Sequence, residues 1–137
     1  NIADGLGIKL LQNQGIEVAI ITGRESNIVQ RRANELSIQH LIQGREDKLI
    51  ALDELLSITG ITLEQTAYMG DDLPDLSAIE NVRLGATVAN ANTEVKAVAD
   101  WISKKDGGDG AVRELAELIL CANDLYDKSI DTFRSKN

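Results

Sequence analysis

The sequence contains very little cysteine, histidine, proline or aromatic residue. Of its 137 residues, one is cysteine, one is histidine, one is proline and 3% are aromatic. Cys121 has no second cysteine with which to form an internal disulfide, which is typical of a reducing compartment. His40 is the only histidine, and Cys121 is the only cysteine. One residue of each type is too few for a zinc site built from histidines and cysteines. We therefore expect oxygen ligands for any bound metal.

The chain is also short of basic residues and of long apolar runs. It has 14 Lys and Arg against 22 Asp and Glu, a net charge of −8. This is the wrong sign for gripping nucleic-acid phosphates or an anionic membrane. No apolar run approaches the ~20 residues that span a bilayer. We therefore expect neither nucleic acid nor a membrane as a partner.

The apolar residues, 43% of the chain, fall into short segments of alternating character. Continuous apolar runs predict strands at 18–21, 40–42, 67–69, 82–86 and 101–102. Helical spacing predicts helices beginning near residues 8, 28, 49, 73, 93 and 111, with Gly15 and Gly60 ending two of them and Thr93 capping another. The last helix should reach about Tyr126, and the polar residues 129–137 should fray. This alternation predicts one α/β domain over residues 1–137, with a mostly parallel sheet covered by helices on both faces.

In such sheets the chemistry lies just beyond the carboxyl ends of the strands. Thr22, Gly23 and Arg24 follow the first strong strand and lead into a helix. A hydroxyl, a flexible amide and a guanidinium at a helix N-terminus suit an anion such as phosphate or carboxylate. The alternative is an ordinary turn with a solvated arginine.

Acidic residues follow the third strand. Asp71 and Asp72 are adjacent, and Asp75 comes three residues later. Neighbouring carboxylates repel each other unless a cation lies beside them, and oxygen ligands without His or Cys favour Mg²⁺. The alternative is that they cap the helix that begins near Leu73.

Lys48 opens the helix after the second strand, where a positive charge opposes the helix dipole. It is therefore a candidate to reach a phosphate, the alternative being a solvated charge. The glycine-rich residues 104–110, which precede Arg113, are either a lid with a basic end or a long connection to the last helix.

Taken in order, residues 20–24, Lys48 and residues 68–75 resemble motifs II, III and IV of the haloacid dehalogenase (HAD) phosphohydrolases. Residues 4–8, 43–44 and 107–114 narrow the resemblance to the 3-deoxy-D-manno-octulosonate 8-phosphate (KDO 8-phosphate) phosphatases. The resemblance covers nearly the whole chain. It implies a three-layer, Rossmann-like HAD fold without a cap domain, in a cytoplasmic, homotetrameric, Mg²⁺-dependent enzyme of lipopolysaccharide biosynthesis that releases phosphate from a phosphorylated sugar acid.

The resemblance also implies roles for single residues. Thr22 and Gly23 would hydrogen-bond the transferring phosphoryl group and Lys48 would neutralise it. Asp71 would ligate Mg²⁺, while Asp72 and Asp75 would hold metal-bound water and the lysine. The substrate contacts implied are those of Arg24, Asp4, Gly5 and Arg113.

The family's first motif, an Asp-x-Asp that supplies the nucleophile, has no counterpart after Asn1. We therefore expect the nucleophile and the N-terminal strand that carries it to lie upstream of this chain. The 137 residues alone should then be inactive and unstable, because the central strand of the sheet would be missing. The alternative function is a non-catalytic HAD-like module for phosphosugar binding or assembly.

Overall fold

The computed structural model describes residues 1–134, in which helices and strands alternate along the chain. The strands are β1 Ala19–Ile21, β2 His40–Ile42, β3 Ala67–Met69, β4 Leu84–Thr87 and β5 Trp101–Ile102. The helices are α1 Ile2–Asn13, α2 Asn27–Glu35, α3 Lys48–Thr59, α4 Leu76–Asn81, α5 Thr93–Val98, α6 Ala111–Ala122 and α7 Tyr126–Asp131. Short 3₁₀ turns lie at Leu63–Gln65 and Leu73–Asp75. No helix in this part of the chain is long and apolar enough to cross a membrane.

All strand pairs in the described residues are parallel, as predicted, but they form two sheets. β1 pairs with β2, with Ile20 opposite Leu41. β4 lies between β3 and β5, with Tyr68 opposite Gly85. No strand of residues 1–134 joins β1 to β3, so each sheet ends at one of these strands. The predicted α/β class is confirmed, with its strands divided between two sheets.

The helices link the two sheets and supply most of the core. α1 packs along α6, where Leu10 and Leu11 meet Ala116 and Leu120 in one buried cluster. A second cluster joins α2 to the first sheet, and its buried members are Ala33, Leu36 and Ile38. α3 contacts β1, α4 and the 3₁₀ turn that follows β3, so it spans the ends of both sheets. This bridge brings α3 and β3 together at the candidate site.

Several local predictions need correction. α5 is capped by the side chain of Asn92, which accepts from the backbone N–H of Glu94, and Thr93 is instead the first helical residue. The last predicted helix is two helices, because Asp124 adopts a left-handed conformation (φ 56°) between α6 and α7.

The predicted fraying of residues 129–137 is wrong for the residues that α7 contains. Ser129 is fully buried, and its hydroxyl donates to the carbonyl of Tyr126. Residues 135–137 lie outside the described part of the chain. Gly60 does end α3 as predicted, in a left-handed conformation (φ 76°) that favours glycine.

Candidate active site

A buried carboxylate, Asp75, is the centre of the candidate site. Its Oδ1 accepts hydrogen bonds from the hydroxyl of Tyr68 at 2.5 Å and from Nζ of Lys48 at 3.0 Å. Its Oδ2 accepts from the backbone N–H groups of Asp71 at 3.0 Å and Asp72 at 3.3 Å. Asp75 is 6% exposed. Four donors thus fix this carboxylate and join α3 to the acidic loop after β3.

The local sequence explains how these groups meet. β3 carries Tyr68, and the chain then turns at Gly70 into the 3₁₀ turn that ends at Asp75. An ideal Cβ on Gly70 would collide with the side chain of Asp75, so only glycine leaves the carboxylate its place. Lys48 is the first residue of α3, and its side chain is 11% exposed. The alternative interpretation of Lys48 as a solvated charge is therefore wrong.

The protonation states follow from this geometry. Burial would raise the pKa of Asp75, but the hydrogen bonds from Tyr68 and Lys48 and the lysine's charge outweigh it, so the pKa lies below its ordinary value. Burial and the hydrogen bond to Asp75 raise the pKa of Tyr68 above its ordinary value. The resting site thus holds a carboxylate between a neutral phenol and an ammonium group.

Asp71 differs from Asp75 because its carboxylate is exposed and makes no hydrogen bond or ion pair within residues 1–134. Asp72 accepts from the N–H of Leu73, so the capping alternative is confirmed for Asp72. Residues 1–134 bring together no group of three His, Cys, Asp or Glu side chains that could hold an ion. Mg²⁺ typically takes one or two protein carboxylates and completes its shell with water and phosphate oxygens, so the donors of Asp71 and its neighbour fit this ion.

Two contacts, one from the end of β4 and one from the loop after it, hold residues 70–72 in place. The hydroxyl of Thr87, fully buried at the end of β4, donates to the carbonyl of Gly70 at 2.6 Å. The backbone N–H of Asn92 donates to the carbonyl of Asp71 at 3.0 Å. The backbone on either side of the candidate metal ligand is therefore tied to the second sheet.

The Thr22 loop extends from the end of β1. The N–H of Thr22 donates to the carbonyl of Ile42 at 2.9 Å, which continues the pairing of β1 with β2. The Thr22 hydroxyl oxygen accepts from the N–H of Arg24 at 3.1 Å. The Glu46 side chain lies against Gly23, where an ideal Cβ would be 2.5 Å from its Oε1. A side chain at position 23 would therefore require the exposed Glu46 side chain to move.

Arg24 is exposed, and its guanidinium makes no ion pair with any residue of the described range 1–134. A polar recess of about 390 Å³ lies at the N-terminus of α2, and its lining residues are Glu25, Ser26, Asn27, Gln30 and Gln43. A small polar ligand of a few hundred cubic ångströms would fit such a recess.

The structure does not bring Asp4, Gly5 and Arg113 to the Lys48 and Asp75 cluster through any hydrogen bond or ion pair within residues 1–134. Asp4 Oδ1 accepts from the backbone N–H of Arg113 at 3.1 Å and thereby caps α6. The guanidinium of Arg113 pairs with Glu117 at 2.8 Å. Gly5 packs against the side chains of α2. Their predicted contacts with substrate stay predictions.

The glycine-rich residues after β5 are held at their start and at their middle. Glu114 accepts from the hydroxyl of Ser103 at 3.1 Å and from the N–H of Lys104 at 3.3 Å. The N–H of Gly107 donates to Asn90 Oδ1 at 3.1 Å. The connection is therefore anchored to the loop after β4, which also holds Asp71.

Sequence reasoning missed Tyr68 and Thr87. Tyr68 lies in the predicted strand 67–69, and Thr87 is one residue beyond the predicted strand 82–86, at the end of β4. Their polar atoms reach Asp75 and Gly70 respectively. A signal for Tyr68 was available, since a buried tyrosine hydroxyl usually finds a partner and this one lies just before Gly-Asp-Asp. No signal distinguished Thr87 from an ordinary β-branched strand residue.

Comparisons with known proteins bear on this site. The family model described as haloacid dehalogenase-like hydrolase matches residues 40–115. This range contains Lys48 and the candidate site aspartates Asp71, Asp72 and Asp75. The 3-deoxy-D-manno-octulosonate 8-phosphate phosphatase of Yersinia pestis is 46% identical over 127 residues, which cover 93% of this chain and 68% of that protein. The Escherichia coli K12 phosphatase of the same name is 43% identical over 129 residues, covering 94% of this chain and 69% of the relative.

Solved structures of similar proteins include phosphatases of the same name. The Moraxella catarrhalis 3-deoxy-D-manno-octulosonate 8-phosphate phosphatase, in complex with magnesium ion, phosphate ion and KDO, has a TM-score of 0.94 and 52% identity. The match covers 96% of this chain and 76% of that one. A probable YrbI family phosphatase from Pseudomonas syringae has a TM-score of 0.96 and 48% identity, covering 100% of this chain and 78% of that one.

Proposed function

The chain belongs to the KDO 8-phosphate phosphatase family of haloacid dehalogenase-like hydrolases, and we propose that it hydrolyses KDO 8-phosphate to KDO and inorganic phosphate in lipopolysaccharide biosynthesis. The observation that carries the proposal is the ion pair of the largely buried Lys48 with the buried Asp75, beside the carboxylate of Asp71, which has no partner within residues 1–134. This arrangement offers a fixed positive charge and a metal ligand at one strand end.

Phosphoryl transfer depends mainly on positioning and on charge stabilisation. Lys48, held by Asp75, neutralises the phosphoryl oxygens. The hydroxyl of Thr22 and the amide of Gly23 donate hydrogen bonds to the same group. Asp71 would hold Mg²⁺, and Asp72 would orient metal-bound water. When bound, the ion supplies Lewis-acid stabilisation of phosphate charge.

We assign the nucleophile to an Asp-x-Asp on a strand that precedes Asn1. The division of the strands into two sheets supports this assignment, because β1 and β3 each end a parallel sheet and α3 packs against β1 and the turn after β3. A parallel strand between them would join the sheets and deliver its last residues beside Lys48. We infer that residues 1–137 are one HAD domain without this strand.

Arg24 is a proposed substrate contact because it is exposed, makes no ion pair within residues 1–134, and directly precedes Glu25 of the polar recess in the sequence. It would receive the carboxylate of the sugar acid through paired hydrogen bonds. Direct contacts from Asp4, Gly5 and Arg113 are part of the proposal through the family resemblance.

The proposal includes a homotetramer in the cytoplasm. Exposed apolar side chains on helix surfaces support contacts between copies, and they include Ile28, Ile50 and Ile58. Sedimentation analysis of the full gene product tests the tetramer directly.

Phosphate release from KDO 8-phosphate with Mg²⁺ tests the proposed function. The 137-residue chain is assayed beside a chain extended upstream to include the Asp-x-Asp, with Asp-to-Asn substitution of the first aspartate as control. Activity in the extended chain alone, abolished in the control, is expected. Activity in neither chain, with Mg²⁺ binding retained, would overturn the enzyme and leave a phosphosugar-binding or assembly module.

A further inference from the structure

Tyr68 is the one member of the Asp75 cluster to which the proposed function gives no task. Its hydroxyl donates to Oδ1 of Asp75 at 2.5 Å, the same oxygen that accepts from Nζ of Lys48 at 3.0 Å. β3 supplies the backbone of Tyr68, and its register with Gly85 of β4 holds that backbone in place. The phenol is therefore presented to Asp75 from the second sheet and not from a mobile loop.

The shared oxygen has a consequence for Lys48. When a carboxylate oxygen accepts a strong hydrogen bond from a phenol, its electrostatic attraction for a neighbouring ammonium group is weaker. The positive charge of Lys48 is therefore less neutralised by Asp75 and can attract a third group more strongly. A phosphate placed beside Lys48 competes with Asp75 for that charge, so the phenol favours phosphate binding.

The phenol also selects the orientation of Asp75. With Oδ1 engaged by Tyr68 and Lys48, Oδ2 is turned to the N–H groups of Asp71 and Asp72. These two amides set the path of the loop that presents the metal ligand. Tyr68 therefore acts on both the cation and the acidic loop through one carboxylate.

We propose that Tyr68 is a positioning residue, whose hydroxyl holds Asp75 so that Lys48 and the Asp71–Asp72 loop are both presented to a phosphoryl group. The proposal rests on the proposed function in its use of phosphate as ligand. It gives Tyr68 no contact with substrate.

The chain contains a matched control for this residue. Tyr126 is the only other tyrosine, is partly buried like Tyr68, and packs against the cluster between α1 and α6. Its hydroxyl makes no hydrogen bond within residues 1–134. Tyr68→Phe and Tyr126→Phe therefore remove the same atom from similar surroundings, and only the first removes a bond to Asp75.

The test is calorimetric titration of inorganic phosphate into the Mg²⁺-loaded full gene product and its two variants. Stoichiometry reports the folded fraction, while the dissociation constant reports how well Lys48 is presented. We expect Tyr68→Phe to weaken phosphate binding about tenfold at unchanged stoichiometry, and Tyr126→Phe to match the parent. A merely structural role would lower the stoichiometry and leave the dissociation constant unchanged, which overturns the proposal.

A second readout needs no ligand. In ¹⁵N-resolved NMR spectra, the amide resonances of Asp71 and Asp72 should shift in Tyr68→Phe and not in Tyr126→Phe, because both amides donate to Asp75. Unshifted amides overturn the proposal. If the parent binds no phosphate, the proposed function fails, and these amides alone decide whether Tyr68 positions the loop.

Discussion

Asp4–Gly5 and Gly70–Asp71 each join an aspartate to a glycine, yet the structure uses the two pairs differently. Asp4 caps α6 by accepting from the N–H of Arg113. Within residues 1–134 the carboxylate of Asp71 has no hydrogen-bond or ion-pair partner, and Gly70 makes room for the buried Asp75. An aspartate is a candidate ligand when its backbone is held by other groups and its side chain is not itself needed as a cap.

The largest effect should come from removing the cation at the centre of the site. Lys48→Met should lower kcat about a thousandfold, because a fixed charge facing the phosphoryl group is lost. It should also lower the free energy of unfolding by about 3 kcal/mol, since Asp75 stays buried without its cation. Steady-state kinetics and denaturant unfolding measure both, with the exposed Lys128→Met as control. Activity near that of the control would place the phosphate elsewhere.

Gly70→Ala tests the glycine of the Gly70–Asp71 pair. Its Cβ would collide with Asp75 and displace the carboxylate from its four donors. A displacement of about 1 Å near reacting groups costs about a hundredfold in rate. We expect that loss in kcat/KM, together with shifted Asp71 and Asp72 amides. Retained activity would show that Asp75 tolerates another position.

Gly7→Ala is the corresponding change near the Asp4–Gly5 pair, where α1 packs on α6. An ideal Cβ would be 2.8 Å from the backbone Cα of Arg113, so the helices must separate. We expect a loss of about 2 kcal/mol in the free energy of unfolding, as in other overpacked interiors. Gly107→Ala, whose nearest neighbour would be 3.8 Å away, is the control in the same unfolding experiment. Equal stability of both variants would contradict the close packing.

Asp4→Ala removes the cap of α6. A lost cap costs about 1 kcal/mol, so the thermal midpoint should fall, and Asp4→Asn, which keeps an acceptor oxygen, should restore most of it. The KM for KDO 8-phosphate measured on the same variants distinguishes the two roles. A rise in KM that Asp4→Asn does not repair would establish the substrate contact that the sequence predicts.

The smallest expected effect is an alkaline loss of stability. The pKa of Tyr68 is raised above its ordinary value of 10.0 by burial and by its bond to Asp75, so unfolding releases its proton above that pH. The stabilisation is complete below pH 10 and is lost as the pH rises further. Between pH 9.5 and 10.5 the parent should lose about 0.7 kcal/mol relative to Tyr68→Phe. Parallel curves of unfolding free energy against pH would rule out the buried phenol.

Much of the local structure was predictable because it depends on neighbours in sequence. The apolar run at β3 and the glycine that ends α3 both appear as expected. The boundary between α6 and α7 was not predictable from spacing. It depends on Asp124 in a left-handed conformation and on the burial of Ser129, and neither property is encoded in helical periodicity.

The sequence predicted Lys48 and the aspartates of the candidate site, and the resemblance implied the hold on Lys48 that Asp75 provides, but Tyr68 and Thr87 were missed. The candidate residues Thr22, Lys48 and Asp71 could be found from the sequence because each comes after a predicted strand, where functional residues of α/β sheets lie. The bond from Tyr68 to Asp75 joins side chains that a strand and a turn bring together, and Thr87 reaches Gly70 across 17 positions. Such bonds depend on which strands are neighbours, which periodicity does not specify.

The sequence by itself determined the α/β class, the oxygen-rich chemistry of the site and the residues that follow the strand ends, because composition and hydrophobic period express local preferences directly. Only the tertiary structure decided that Asp4 caps a helix while Asp71 stays free, and that Tyr68, Lys48 and the acidic loop share one carboxylate. Those outcomes require helices and strands distant in sequence to pack within hydrogen-bonding distance, and that packing is a property of the whole fold.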